Sequence, residues 1–212
     1  MSSQIVPLVK GFFARMFRRS MFADIVQGII AGCILAFIAA TLIITAEARS
    51  VNTTVNGWST TLQAGKPGNS VLLRAAMAEV LPAANLAEEA VYWTTTKDST
   101  GQNLNGLYDY VLHFPSGGLP PNGAFWSLTM TDAKGVLVAN PIDRYSLGDR
   151  SGLVSNADGS MDIYLQNTAP AGHAANWLPA PAGGFMLWLR AYQPGASVLD
   201  GKYQVPPVVE VK

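Results

Sequence analysis

The longest apolar stretch lies near the N-terminus, where residues 25–44 contain no Asp, Glu, Lys or Arg. At about 1.5 Å per residue, a helix of this length spans about 30 Å, the thickness of the hydrocarbon core of a bilayer. Eleven of its side chains are large and apolar. Together they favour insertion by about 3–7 kcal/mol. The pattern predicts a single transmembrane helix over residues 25–46.

The pattern changes twice over the next fifty positions or so. Residues 47–69 are polar and aperiodic, which predicts a linker. Apolar residues then recur at helical spacing over 71–81, with Ser70 as an N-cap and Pro82 as a stop signal. Residues 86–93 predict a second short helix because Glu88 and Glu89 stand near its start.

From residue 106 onward apolar side chains recur at every second position, which is typical of strands. The clearest runs are residues 107–114, 124–131, 161–166 and 185–192. Glycine turn signals separate them: Asn105-Gly106, Lys134-Gly135, Asp158-Gly159 and Asp200-Gly201. The runs are too closely spaced for crossover helices. They predict a mainly β, antiparallel sandwich or jelly-roll-like domain over residues 70–212, with one or two short helices.

Charge decides the predicted orientation of the span. Lys10, Arg15, Arg18 and Arg19 precede it and only Asp24 opposes them. Basic flanks stay on the cytoplasmic side. We therefore expect a bacterial inner-membrane protein with a cytoplasmic tail over residues 1–24 and a periplasmic C-terminal domain. The tail fits an interfacial helix and an unstructured segment equally well.

A cleaved signal peptide is the alternative to a retained span, since Ala46-Glu47-Ala48 resembles a cleavage site. The apolar region of a signal peptide usually runs for only about 7–15 residues. Retention is therefore the preferred interpretation.

Small residues form a stripe within the span. Gly28, Gly32, Ala36 and Ala40 recur at every fourth position and share one face of a helix. Such a stripe permits close packing against another helix in lipid, from a second copy or another membrane subunit. Alanine and glycine are also common in membrane spans, so a chance match stays open.

Several chemistries have little support in the sequence. Cys33 is the only cysteine, so no intrachain disulfide can form, and a metal site built on His113 and His173 would need carboxylate ligands as well. No G-x-S-x-G motif presents a nucleophilic serine. The calcium-like segment 156–162 has its glycine at position 4 instead of 6, which favours a hairpin turn. We predict no cofactor, no metal, no catalytic residue and no nucleic-acid partner.

Several motifs in order carry a family resemblance. They are the run 125–130, the run 140–150, Ala157-Asp158-Gly159-Ser160, the run 176–181, the run 189–194, and Asp200-Gly201 before Pro206-Pro207. Over about residues 70–212 the chain resembles the bacterial family called "domain of unknown function 1214". Thr131 departs from the aromatic residue that the family usually has before Asp132. The resemblance implies a β-sandwich, often preceded in longer relatives by a second sandwich domain whose place a membrane helix takes here.

Irregular segments and strand ends, where function concentrates, supply the candidate ligand-binding residues. They are Asn140, Arg144, Tyr145, Asn176, Trp177 and Arg190. If Arg190 is buried in its apolar strand, it needs a carboxylate or several carbonyls, and Asp143, Asp149 or Asp158 could serve. Structural anchoring is an equal alternative for Arg190.

Two functional hypotheses follow from these features. The first is a non-catalytic, membrane-anchored accessory subunit of an inner-membrane complex, contacting lipid and other transmembrane helices. The second is a tethered periplasmic domain that binds a carbohydrate or small ligand, or acts as a glycosidase. The second draws on two sets of residues: the aromatic residues Trp126, Trp177, Trp188, Tyr145 and Tyr192, and the carboxylates Asp132, Asp143, Asp149, Asp158 and Asp162. Core packing of these aromatics is the preferred interpretation.

Overall fold

A computed structural model describes residues 21–82 and 84–211. The chain divides into two compact units, residues 1–46 and 47–212. Helix α1 covers Met21–Ser50. An 18-residue window within it has a mean hydropathy of 2.6 and none of that window is buried inside the protein. By length and composition α1 can span a membrane or act as a signal anchor, and the predicted interfacial helix lies outside the described residues.

The second unit is mainly β, as the alternating pattern predicts. Its strands are β1 Thr53–Val55, β2 Trp58–Thr60, β3 Ala90–Thr95, β4 Asp109–Phe114, β5 Asn122–Asp132, β6 Ser146–Gly148, β7 Met161–Gln166, β8 Trp177–Pro179, β9 Phe185–Pro194 and β10 Val208–Val211. Helices α2 Val71–Val80 and α3 Ala196–Leu199 and a 3-10 turn at Ala174–Asn176 complete it. The Ser70 hydroxyl caps α2 by accepting a hydrogen bond from the Leu73 amide at 3.1 Å.

The strands form two sheets. One has six strands in the order β1-β2-β3-β9-β5-β6, and the other has four in the order β10-β4-β7-β8. The neighbouring strands pair antiparallel, except that β7 and β8 are parallel. The antiparallel prediction is corrected at that pair alone.

One hydrophobic core joins the two sheets. The inward side chains alternate as predicted, and in β7 Met161, Ile163 and Leu165 are buried. The Tyr110 and Phe185 rings, one from each sheet, meet edge-on with centroids 5.8 Å apart. The fold class predicted from the sequence, a sandwich with few helices, is confirmed.

The predicted linker over residues 47–69 is corrected, because it contains a β-hairpin. Asn56 and Gly57 have φ angles of 53° and 82°, the left-handed values that a two-residue hairpin turn requires. Trp58 then lies fully buried in the core. Its indole N–H donates to the Pro206 carbonyl at 2.8 Å, so the segment is part of the domain.

The predicted second helix over residues 86–93 is also wrong. A single turn forms there, in which the amides of Glu89 and Ala90 donate to the Leu86 carbonyl. The chain then enters β3, which pairs with β9 along its whole length. Sheet pairing and the β-branched and aromatic residues of β3 outweigh the weak helical signal.

Candidate functional site

Arg144 and Asn140 build one irregular loop and tie it to β8. The Asn140 side-chain oxygen accepts from the Arg144 amide at 3.0 Å, and its amide group donates to the Arg144 carbonyl at 2.9 Å. The Arg144 guanidinium donates to the carbonyls of Ala174 and Trp177 at 2.6 and 2.8 Å. The hydrogen bonds of both side chains therefore run to the protein's own backbone.

Asn176 is buried beneath the same loops. Its side chain donates to the carbonyls of Val154 and Asp162 and accepts from the Val154 amide, each at 2.8 Å. The neighbouring Trp177 is buried and its indole N–H donates to the Gln166 carbonyl at 2.8 Å. Tyr145 lies close by in sequence, with its hydroxyl 3.4 Å from Asp143 Oδ1.

The structure thus links Asn140, Arg144 and the Trp177 carbonyl by hydrogen bonds, and Asn176 lies next to them in sequence with backbone partners of its own. Their polar atoms bind internal carbonyls and amides, which favours anchoring of the loops to the sheet over ligand binding. Beside them, a depression of about 200 Å³ is lined by Asn140, Pro141, Asn167 and Ala180 among others.

Arg190 lies in a different place, at the middle of β9. Its guanidinium donates to the Thr129 hydroxyl at 2.9 Å and lies 5.8 Å from the Trp188 ring centroid. The side chain is half-buried, and no ion pair among residues 21–82 and 84–211 includes it. The condition of full burial, under which Arg190 would need a carboxylate or several carbonyls, is therefore not met.

The side chains around Arg190 form a continuous surface that we call the outer face, the side of the six-stranded sheet opposite the core. Successive strand residues point to opposite sides of a sheet, and the residues of the outer face alternate with buried ones. The outer face consists of Tyr92, Thr94, Phe125, Ser127, Thr129, Met186, Trp188, Arg190 and Tyr192. All nine side chains are half-buried.

Four of the five aromatic residues considered for sugar stacking divide between the core and this surface, and Tyr145 lies in the loop described above. Trp126 and Trp177 are buried, as core packing predicts. Trp188 and Tyr192 lie on the outer face, where the Tyr192 and Phe125 rings stack with centroids 4.2 Å apart. The alternation in β9 predicts that Trp188 lies on the outer face. The sequence does not predict that Phe125 lies next to Tyr192, because this contact depends on the register of β9 with β5.

The candidate carboxylates serve local turns and pairs. Asp132 accepts from the amides of Lys134 and Val136, and these backbone bonds hold its pKa below the usual value. Hydrogen bonds from the Ser160 side chain and backbone likewise lower the pKa of Asp158. Asp162 lies 2.6 Å from His113 Nδ1 across the β4–β7 pair. These contacts give Asp132, Asp158 and Asp162 hydrogen-bond partners within the protein, so three of the five candidate carboxylates need no ligand to account for their positions.

An apolar cavity of about 90 Å³ lies at the β1–β2 hairpin, lined by Trp58, Val91, Trp93 and Tyr203 among others. The Tyr203 hydroxyl donates to the Gly118 carbonyl at 3.0 Å, and burial raises the pKa of Tyr203. With the hydroxyl of Tyr203 and the indole N–H of Trp58 both engaged internally, neither offers a hydrogen bond to a ligand.

The small-residue stripe lies on α1. Among the described residues, a Cβ atom placed on Gly28 or Gly32 would meet nothing within 4 Å besides its chain neighbours and the backbone of its own helix. The large apolar residues of the same helix, such as Ile34 and Phe37, are exposed. The helix-packing role of Gly28, Gly32, Ala36 and Ala40 stays a prediction.

Comparison with known proteins bears on the β domain. A crystal structure of a protein from Vibrio parahaemolyticus aligns with 30% identity and a TM-score of 0.59 over 68% of this chain and 36% of that one. An uncharacterized protein from Burkholderia cenocepacia aligns at 13% identity and a TM-score of 0.37, over 82% and 49% of the two chains. The chain therefore spans half or less of the length of these proteins. No curated protein matches the sequence.

A family model described as "Protein of unknown function (DUF1214)" matches residues 89–196, about half of the 212-residue chain. The matched segment begins just before β3 and ends after β9, and so contains the central strands of both sheets. The sequence resemblance over the β domain is thus confirmed for this segment. The chain belongs to the DUF1214 family.

Proposed function

We propose that the chain is a non-catalytic accessory subunit of a bacterial inner-membrane complex, anchored by α1 with its β-sandwich in the periplasm. The observation that carries this proposal is the apolar window of α1, none of which is buried inside the protein. Exposure of about ten large apolar side chains to water is costly, at roughly 25 cal/mol per Å². Lipid and neighbouring helices are the environment that removes this cost.

The non-catalytic part of the proposal rests on the use of polar side chains in the β domain. Arg144, Asn140 and Asn176 all direct their hydrogen bonds to the protein's own backbone. These contacts hold the loops rigid. A binding or assembly role needs a rigid surface but no free polar groups for chemistry.

Cysteine labelling in bacterial cells tests the orientation. After Cys33→Ala, a cysteine introduced at exposed Lys134 is expected to react with a membrane-impermeant maleimide in intact spheroplasts. A cysteine at Lys10 is expected to react only after lysis, because the basic tail stays in the cytoplasm. Labelling of Lys10→Cys before lysis, or recovery of the parent chain in the soluble fraction after carbonate washing, would contradict the proposal.

Association through α1 is tested by Gly32→Leu. A leucine side chain at Gly32 fills the surface that a partner helix would approach, so the chain is expected to lose its oligomer or co-purifying membrane subunit in mild detergent. The control is Ile34→Leu. This change lies outside the stripe and preserves the size and hydropathy of the side chain. Equal recovery of partners from the two variants, or a monomer from the parent chain, would contradict association through α1.

A further inference from the structure

Cationic side chains on and beside the outer face have no acidic partner. Arg190 lies at its centre, Arg150 lies 4.7 Å over the Phe125 ring, and Lys97 lines a shallow depression of about 380 Å³ at one side. No ion pair in the described part of the chain includes any of the three. Strands β2, β3 and β9 contain no Asp or Glu, and Asp132, at the end of β5, accepts hydrogen bonds from backbone amides of its own turn. The outer face therefore carries uncompensated positive charge, which complements an anionic ligand.

A row of hydroxyl groups crosses the outer face beside Arg190. Ser127 is the register partner of Arg190, and Thr129 and Thr94 are the partners of Trp188 on either side. Ser59 continues the row on β2 opposite Thr94. These side chains both donate and accept hydrogen bonds, as recognition of a polyhydroxyl ligand requires.

Trp188 gives the face an aromatic surface with an unsatisfied donor. Its indole N–H is buried and has no hydrogen-bond partner among the residues that the structure describes. Buried donors are rarely left without an acceptor. Tyr192, two residues along the same side of β9, and its stacked neighbour Phe125 extend the aromatic surface.

We propose that the outer face binds a carboxylate-bearing polysaccharide, with Arg190 pairing to a carboxylate and Trp188 supporting a sugar ring. Four strands spaced by about 4.8 Å give the row of side chains a length of about 15 Å, which suits an extended chain better than a lone anion. A guanidinium and a carboxylate form the strongest of the available polar contacts. This binding activity is independent of the membrane role proposed above, and either can fail without the other.

Calorimetry on the full chain in detergent micelles tests the proposal with polygalacturonate as the probe and neutral dextran as the comparison. The parent chain is expected to bind the first polymer and not the second. Arg190→Gln is expected to weaken binding by about tenfold or more, since it removes a charged hydrogen bond. The control is Arg74→Gln, which removes the same charge from an exposed position on α2.

A second pair of variants at Ser127 compares a charged with a neutral side chain of the same size. Ser127→Glu places a carboxylate opposite Arg190 and is expected to block binding, whereas Ser127→Gln lacks that charge and is expected to bind more tightly than Ser127→Glu. The proposal is overturned if the parent chain ignores polygalacturonate, or binds dextran or a single-stranded oligonucleotide as tightly. It is equally overturned if Arg74→Gln weakens binding as much as Arg190→Gln, or if Ser127→Glu leaves binding unchanged.

Discussion

Replacing Trp58 by alanine is expected to lower the free energy of unfolding of the β domain by about 3–5 kcal/mol. The side chain is only 1% exposed, and its removal enlarges the cavity of about 90 Å³ that it already borders. The change also leaves the Pro206 carbonyl without the indole donor that now lies 2.8 Å away. A loss of this size is a large part of the roughly 5–15 kcal/mol that stabilises a typical domain.

Urea unfolding of the full chain in detergent, followed by fluorescence of the remaining tryptophans, measures this loss. Trp58→Phe provides the matched control because it keeps an aromatic ring in the core and removes only the hydrogen bond and part of the volume. We expect the phenylalanine variant to lose about 1–2 kcal/mol. If Trp58→Ala unfolds at the same urea concentration as the parent chain, the hairpin does not belong to the folded domain.

The hairpin itself had a local signal in the sequence. Asn56-Gly57 is the dipeptide preferred in two-residue hairpin turns, and threonine and valine residues flank it. The polar composition of the neighbourhood, which includes Lys66 and Asn69, concealed that signal. The packing of Trp58 was not predictable in the same way. Its acceptor on Pro206 lies 148 residues along the chain, and no local pattern specifies so distant a contact.

Strand identity was predictable where one side of the strand faces the core. In β9 the alternation of Phe185, Leu187 and Leu189 with Met186 and Trp188 matches the observed burial. In β3 burial alternates from Val91 onward, but residues 90–93 are all apolar or aromatic, so the sequence does not show that alternation. The hidden period explains the mistaken helix over residues 86–93.

The candidate site was predictable in its residue types more than in its arrangement. An arginine in an apolar strand indicated a special environment for Arg190. Its neighbours were set by the register of β9 against β5, which places Ser127 opposite it. A strand register depends on contacts that are distant in sequence, so the grouping of Arg190 with Asn176 had no physical basis in the sequence alone.

Asn176→Ala is expected to destabilise the β domain by about 2–4 kcal/mol, the largest effect after that of Trp58. The amide side chain satisfies both the amide and the carbonyl of Val154 and also the carbonyl of Asp162. Alanine leaves three backbone groups without these partners, at a cost of about 1–3 kcal/mol for each group that water cannot reach. Some of them regain water when the loop relaxes, which limits the total.

The same urea unfolding experiment compares this effect with the removal of an exposed asparagine side chain. Asn167 is exposed, and within the described part of the chain its side chain makes a single hydrogen bond, to the Ala180 carbonyl at 2.9 Å. Asn167→Ala is therefore expected to cost less than about 1 kcal/mol, because water replaces the lost partner. Equal losses for the two variants would mean that Asn176 does not hold the loop at residue 154 to β7. If Asn176→Ala kept its stability and weakened binding of polygalacturonate instead, the result would assign the ligand site to the loops around Arg144 and not to the outer face.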